Sequence, residues 1–220
     1  MAIVYGLYVD WDNDGNFSTV NDDITGDTLN VSWSRGRDYA SALEGKSIAG
    51  KLTATLVNTD GKYSPSNTDS DLTGKLLPGR AVRVTVGDGV PFPQSFPITF
   101  SDTVRWQGKL DRINPAPASI GLKTCKLTAF GNLGYLNQFE VQLSSQTNRR
   151  TDQAVGDILD NLGWASGDRT LDTGLTTISR FWMAKKKGIA ALRLVEETEA
   201  GFIKETKDGK IGFENRHHRP

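Results

Sequence analysis

The sequence predicts an α+β chain. A mainly β, barrel-like N-terminal domain over residues 1–145 precedes a small α/β domain over residues 146–220, built as helix, helix and hairpin. Two observations carry that expectation. Up to residue 130 the apolar residues recur with a period of two, the mark of half-buried strands, whereas from Thr151 onward they recur at helical spacing. Between the alternating runs stand clusters of Gly, Pro, Asn and Asp, which supply the backbone angles that sharp reversals need.

Taken in order, residues 2–9 (AIVYGLYV) are rich in β-branched and aromatic types and read as a strand running into the acidic turn DWDNDGN. TLNVSWS at 28–34 is a second strand. Residues 48–57 alternate most clearly, with Ile48, Leu52, Ala54 and Leu56 on one face and Lys51, Thr53 and Thr55 on the other. The pattern returns at 81–86 with Val82, Val84 and Val86 inward, at 104–110 with Val104, Trp106 and Leu110, and at 122–130 with Cys125, Leu127 and Ala129. NTDGKYSP, LLPGR, GDGVPFP and NPAPAS are the turns between them. Several short alternating strands must bury one face against one another, which favours a barrel.

Beyond Thr151, the apolar stripe Ala154, Val155, Ile158, Leu159 and Leu162 predicts a helix over 151–162, capped by Thr151 and ended by Gly163. A second helix over 188–200 carries Ile189, Leu192 and Val195 on one stripe, with Gly201 as its stop. FIKETKDGKIGFEN then reads as two short strands around Asp208-Gly209, a strong hairpin signal.

Composition excludes several function classes. The chain has 220 residues with 26 Lys+Arg against 26 Asp+Glu, so no global field draws it onto nucleic acid or anionic lipid. One cysteine and two histidines cannot build an internal disulfide or a multi-cysteine zinc site. No apolar stretch approaches the roughly 20 residues that span a bilayer, and no basic segment followed by an apolar one opens the chain. The expected setting is the cytosol until assembly or release. GxSxG, HExxH and GxxxxGK[ST] are missing from the sequence, and His217 and His218 sit beside the terminus, where a catalytic triad is poorly served. The expectation is a chain that performs no catalysis.

The sharpest local motif is Asp10-Trp11-Asp12-Asn13-Asp14-Gly15-Asn16. Alternate carboxylates with glycine in the sixth place match the first half of a calcium loop, whose oxygens converge at about 2.3–2.6 Å on one cation. Asp10, Asp12, Asp14 and Asn16 are therefore candidate calcium ligands. The twelfth place is Asn21, with Asp22 and Asp23 beside it, and the same string also makes an ordinary turn in which Asp and Asn bond their own backbone. Trp11 is expected to be exposed there as a partner contact, while Trp33, Trp106, Trp164 and Trp182 are expected to pack in core or rim. Arg149-Arg150 and Lys185-Lys186-Lys187 read as solvated loops that can also meet an acidic partner.

In serial order, YVDWDNDGNFS, SRGRD at 34–38, AGKLTATLVNTDGKYSP at 49–65, LLPGRAVRV at 76–84, WQGKLD at 106–111, TDQAVGDILDNLGW and EAGFIKETKDGKIGFENR resemble the N-terminal half of the tail hub (baseplate hub) proteins of tailed bacteriophages and prophages. The resemblance implies a β-barrel domain that joins a ring at the distal end of the tail tube, with three hub copies and an α/β domain on the flank. It further implies a non-catalytic virion component of the tail tip, assembled in the host cytoplasm. Its implied partners are its own copies, the distal tail or tail tube protein, the tape-measure protein, and a spike, fibre or lysin. Hubs of this family carry a second barrel and further C-terminal domains. A chain ending at Pro220 is expected to be a shortened hub, a hub split over two genes or a portion of a longer product. The alternative is a calcium-dependent carbohydrate-binding or adhesion module of a phage tail, served by the DWDNDGN loop; a tail-attached glycosidase or peptidase is a third reading.

Overall fold

A computed structural model describes residues 4–37, 46–87, 103–116 and 122–218. The turn GDGVPFP beyond Gly87, the end of NPAPAS, Asp38 of SRGRD and the first residues of the opening strand lie outside the described residues. The chain divides into two compact units, residues 1–34 with 51–130 and residues 35–50 with 131–220. The change of period suggests a boundary at 145/146, whereas the compact units part after Phe130, because Leu133, Leu136 and Val141 already face the second core.

Six strands make one sheet: β1 (Val4–Val9), β2 (Thr28–Arg37), β3 (Ser47–Val57), β4 (Ala81–Gly87), β5 (Thr103–Ala116) and β6 (Thr124–Gly131). Their order is β1-β4-β5-β6-β3-β2, and the pairs β1–β4, β4–β5 and β3–β6 are antiparallel. The sheet curls into a half-barrel. Residues 22–24 precede a 3₁₀ turn (Thr25–Asp27) that leads into β2, yet they also hydrogen-bond along β1: the Val9 N–H donates to the Asp22 carbonyl at 2.9 Å and the Ile24 N–H to the Leu7 carbonyl at 3.0 Å. The chain that leads into one edge strand thereby covers the other edge, which an exposed strand needs to stay unpaired with foreign chains.

The inner face carries Leu7, Val9, Leu52, Ala54, Leu56, Val82, Val84, Trp106, Leu110, Cys125, Leu127 and Ala129, all buried. Alternation predicts most of these. Three differ. Val86 keeps the inner side, opposite Tyr5, but is half-buried near the end of β4, while Thr85, paired with Gly6 on the outer side, is buried there; a bulge makes Arg105 the extra residue of β5 and leaves Val104 half-buried. Ile48 is exposed because it lies at the end of β3, where the strand belongs with the second unit and Ser47 is buried in its place. Loops complete the core: Trp11, Ile24, Tyr63 and Leu72 come from the segments 10–27 and 58–75, with the Trp11 and Tyr63 rings 6.4 Å apart. Gly108 is required where β5 passes β6, since a Cβ there would collide with the Phe130 carbonyl.

In the second unit follow α1 (Asn132–Leu136), β7 (Glu140–Arg150), α2 (Thr151–Asn161), β8 (Arg169–Leu171), β9 (Thr177–Lys187), α3 (Gly188–Glu199), β10 (Phe202–Glu205) and β11 (Ile211–Glu214). β10 and β11 form the predicted hairpin, with Gly209 at φ 78°, and β8 adds to β11 in parallel. β7 and β9 form a separate antiparallel ribbon. α2 and α3 bury Ala154, Val155, Ile158, Leu159, Ala191, Leu192 and Val195 against strand residues including Val141, Phe181, Met183, Ile203 and Phe213. Both predicted helices are present with altered ends. Thr151 lies inside α2 and its hydroxyl donates to Glu199 at 2.7 Å rather than capping, and Ala200, at φ 53°, takes the left-handed position expected at Gly201.

Candidate functional site

The acidic loop after β1 is organised by its own backbone. Asp10 is buried, and its two carboxylate oxygens accept the N–H groups of Asp14 at 3.1 Å and Gly15 at 3.0 Å. Asp14 accepts the Asn16 N–H at 2.7 Å, and Asp12 pairs with Lys75 at 2.7 Å. Asp22, also buried, accepts from Thr19 at 3.0 Å and Trp11 at 3.4 Å, while Asp23 accepts from Thr25 at 2.9 Å. Asn13 and Gly15 take positive φ, as Asx-type turns allow. Asp10, Asp12 and Asp14 are thus near in sequence with Asn16, but the three carboxylates are directed to different partners. Among the described residues no group of three or more His, Cys, Asp or Glu side chains is gathered as a metal ion would need.

Trp11 corrects the sequence expectation most sharply: it is fully buried, with its indole N–H on the Asn21 carbonyl at 3.0 Å. An aromatic between two aspartates looks exposed by its neighbours. Here the loop folds back so that the ring joins the core of the first unit, beside Tyr63. Beneath it the Tyr63 hydroxyl donates to Asp27 at 2.5 Å, and Lys62 pairs with the same carboxylate at 3.1 Å. Burial opposes the charge of Asp27, yet Tyr63 and Lys62 together hold its carboxyl below the usual range, and burial with the Asp27 charge drives the Tyr63 hydroxyl upward. The loops 10–27 and 58–75 are therefore one braced lobe.

Cys125 is buried in the barrel core and burial pushes its thiol up to about 11, which suits packing and not nucleophilic chemistry. His218 lies 2.6 Å from Asp172 and 3.3 Å from Glu214, so it ties the terminus to the second unit. Glu199 is fully buried; burial opposes its charge, but hydrogen bonds from Thr151 and from the Thr176 and Leu175 N–H groups hold its carboxyl below the usual value. Glu205 behaves oppositely. Burial pushes it up to about 7, although the N–H groups of Asn132, Leu133 and Gly50 and the charge of Arg35 favour its ionised form. Each of these carboxyls fastens segments together.

The surface that sequence reasoning missed is the β7–β9 ribbon. One of its faces presents Val141, Phe181 and Met183 to the helices, whereas the other bears Trp182 at 58% exposure, with Arg180 and Lys185 also exposed. Trp182 departs from the expected core or rim placement. A signal was present in the sequence: Phe181-Trp182-Met183 is a run of three apolar residues, and in a strand the middle one must face away from its neighbours. The basic runs, expected as loops, lie at the ends of strands β7 and β9. Arg149 is bound to Asp157 and Arg150 to Asp152, while Lys187 stands 3.5 Å from Glu140.

No family model matches this sequence, and no curated protein matches it either. Solved structures do match the fold. A 43 kDa tail protein of prophage MuSo2 from Shewanella oneidensis superposes over 97% of this chain with TM-score 0.56 and 12% identity. A tail protein from Neisseria meningitidis MC58 does so over 97% with TM-score 0.57 and 10% identity. An Escherichia coli component of the type VI secretion system, itself structurally similar to T4 bacteriophage tail proteins, matches over 96% with TM-score 0.54 and 12% identity. The chain spans 54%, 51% and 49% of those three proteins. Its fold is therefore one that phage tail proteins use.

Proposed function

We propose that this chain is a non-catalytic structural component of a phage tail: a hub subunit in a ring at the distal end of the tail tube, linking the tube to spike, fibre or lysin proteins. The observation that carries the reading is fold agreement across both units at once, since 96–97% of the chain follows the tail proteins and the type VI component. A half-barrel and a helix-covered ribbon joined in this order are more specific than either part. The outer faces of the strands fit a subunit that packs beside copies of itself, with Lys51 and Arg105 exposed and Arg83 half-buried under the Phe17 ring at 4.0 Å.

The test is a density map of the tail particle that carries the chain. The expected result is a closed ring of copies, three in number, at the distal end of the tube. Density for the chain away from the tail tip, or as an isolated copy, overturns the reading.

A further inference from the structure

Formal neutrality hides a strong polarity. The braced loops 10–27 and 58–75 contain nine aspartates against two lysines, whereas strands β7 and β9 contain six arginines and lysines against one glutamate. Arg149, Arg150 and Lys187 already pair with Asp157, Asp152 and Glu140, which leaves Arg180 and Lys185 as the exposed cations beside Trp182. Each surface also carries an uncovered apolar feature. On the acidic lobe it is Val20, 95% exposed, with Asp14 and Asp23 exposed in the same loop. On the ribbon it is a shallow hollow of about 690 Å³ lined by Gln142, Leu143, Ser145, Trp182 and Lys185. Breaks in the β7–β9 register between Val141 and Leu143 and between Leu143 and Gln146 shape that hollow.

A valine standing clear of an acidic loop and a hollow lined by Trp182 and Lys185, with Arg180 exposed on the same strand, are complementary in charge and in polarity. An exposed aromatic in such a hollow is the usual anchor of an interface. We propose that the uncovered face of the β7–β9 ribbon of one copy docks the Val20-bearing acidic lobe of a second copy. The contact joins two different surfaces of the same chain, and the inference rests on the tail-hub reading. An interface between two different surfaces of the same chain makes a ring when its rotation closes, which is what a hub needs and a two-fold contact cannot supply.

The experiment is sedimentation of the full-length chain over a range of concentrations at low and high salt. Four variants join the wild type: Arg180→Glu with Lys185→Glu, Asp69→Lys with Asp71→Lys, all four changes together, and Val20→Arg. Asp69 and Asp71 are chosen because they are exposed on the lobe, whereas Asp14 and Asp23 brace the loop backbone. Each reversed pair is expected to weaken self-association about tenfold or more, because it sets like charges against each other, and the fourfold variant to recover most of the loss. Salt weakens the wild type as it screens exposed pairs. Val20→Arg is expected to weaken association as strongly as either pair. Circular dichroism verifies folding; since the lobe and the ribbon belong to different units, one set of variants tests the contact if the other fails to fold.

Wild-type association unchanged by the reversed pairs, a fourfold variant no tighter than either pair, or a chain that stays monomeric at every concentration and salt overturns the docking. A ring still present at the tail tip in particles carrying the reversed pairs would discard this interface and leave the hub reading standing. A particle map without the ring would discard the hub reading itself.

Discussion

The two units enclose their cores with different materials. In the second, α2 and α3 lay regular apolar stripes across strands, so the cover is as periodic as what it covers. In the first, a curled sheet is covered by loops, and Trp11, Ile24, Tyr63 and Leu72 reach the core from segments whose neighbours are polar. Helical cover announces itself in a sequence because its spacing is dictated by the backbone. Loop cover does not, since each buried residue is placed by a particular turn and its hydrogen bonds.

The largest expected effect breaks the loop cover. Trp11→Ala removes a fully buried indole from beneath the acidic loop and is expected to destabilise by about 3–5 kcal/mol in urea unfolding. A loss under about 0.5 kcal/mol, the range for exposed positions, would show that the loop does not close the barrel.

Next come two carboxyls, buried Glu199 and half-buried Glu205, which set opposite pH slopes. Glu205 is raised from 4.5 to about 7, so the folded chain binds its proton more tightly than the unfolded chain. The stability it contributes is fully present below about pH 4.5 and is lost as pH rises to about 7. Glu205→Gln keeps an acceptor for the Asn132 N–H without the charge. It is expected to exceed the wild type at about pH 8 by on the order of 2 kcal/mol and to match it at about pH 4, read by urea melts at both values. Glu199, held below its usual value, runs the other way, and its contribution is lost as pH falls through its folded pKa. A wild type with equal stability at both ends and no response to Glu205→Gln would remove the buried-charge account.

A smaller effect sharpens the reading of the acidic loop. Asp10→Ala orphans the N–H groups of Asp14 and Gly15 and is expected to cost about 1–2 kcal/mol. Calcium titration of the wild type separates the two roles of this loop: a self-braced turn leaves the melting temperature unmoved by calcium and by EDTA, whereas a metal site raises it with calcium.

The smallest effect belongs to the ribbon. Trp182→Ala is expected to change thermal stability by less than about 0.5 kcal/mol, since the ring is 58% exposed, while self-association falls. The same substitution type thus separates a tryptophan that supports the fold from one that supports assembly.

Much of this architecture was legible in advance. Leu52, Ala54, Leu56, Cys125, Leu127 and Ala129 are buried as alternation demands, and Ala154, Val155, Ile158 and Leu159 as helical spacing demands. The polar ribbon strand EVQLSSQTNRR was harder, because Val141 and Leu143 alone mark its inner face and bulges interrupt the repeat. The acidic motif was legible as a turn and as a calcium loop alike, since both begin with the same oxygen donors at the same spacing. Their direction in space separates them.

By itself the sequence determined the strand and helix periods, the neutrality of the whole and the absence of common catalytic signatures, because these depend only on which residues follow which. Tertiary structure alone decided that Trp11 turns inward and Trp182 outward, that Asp10 braces a loop, and that acid and base gather on separate surfaces. Burial and charge arrangement are properties of what lies opposite a residue in space, and adjacency along the chain carries no record of that.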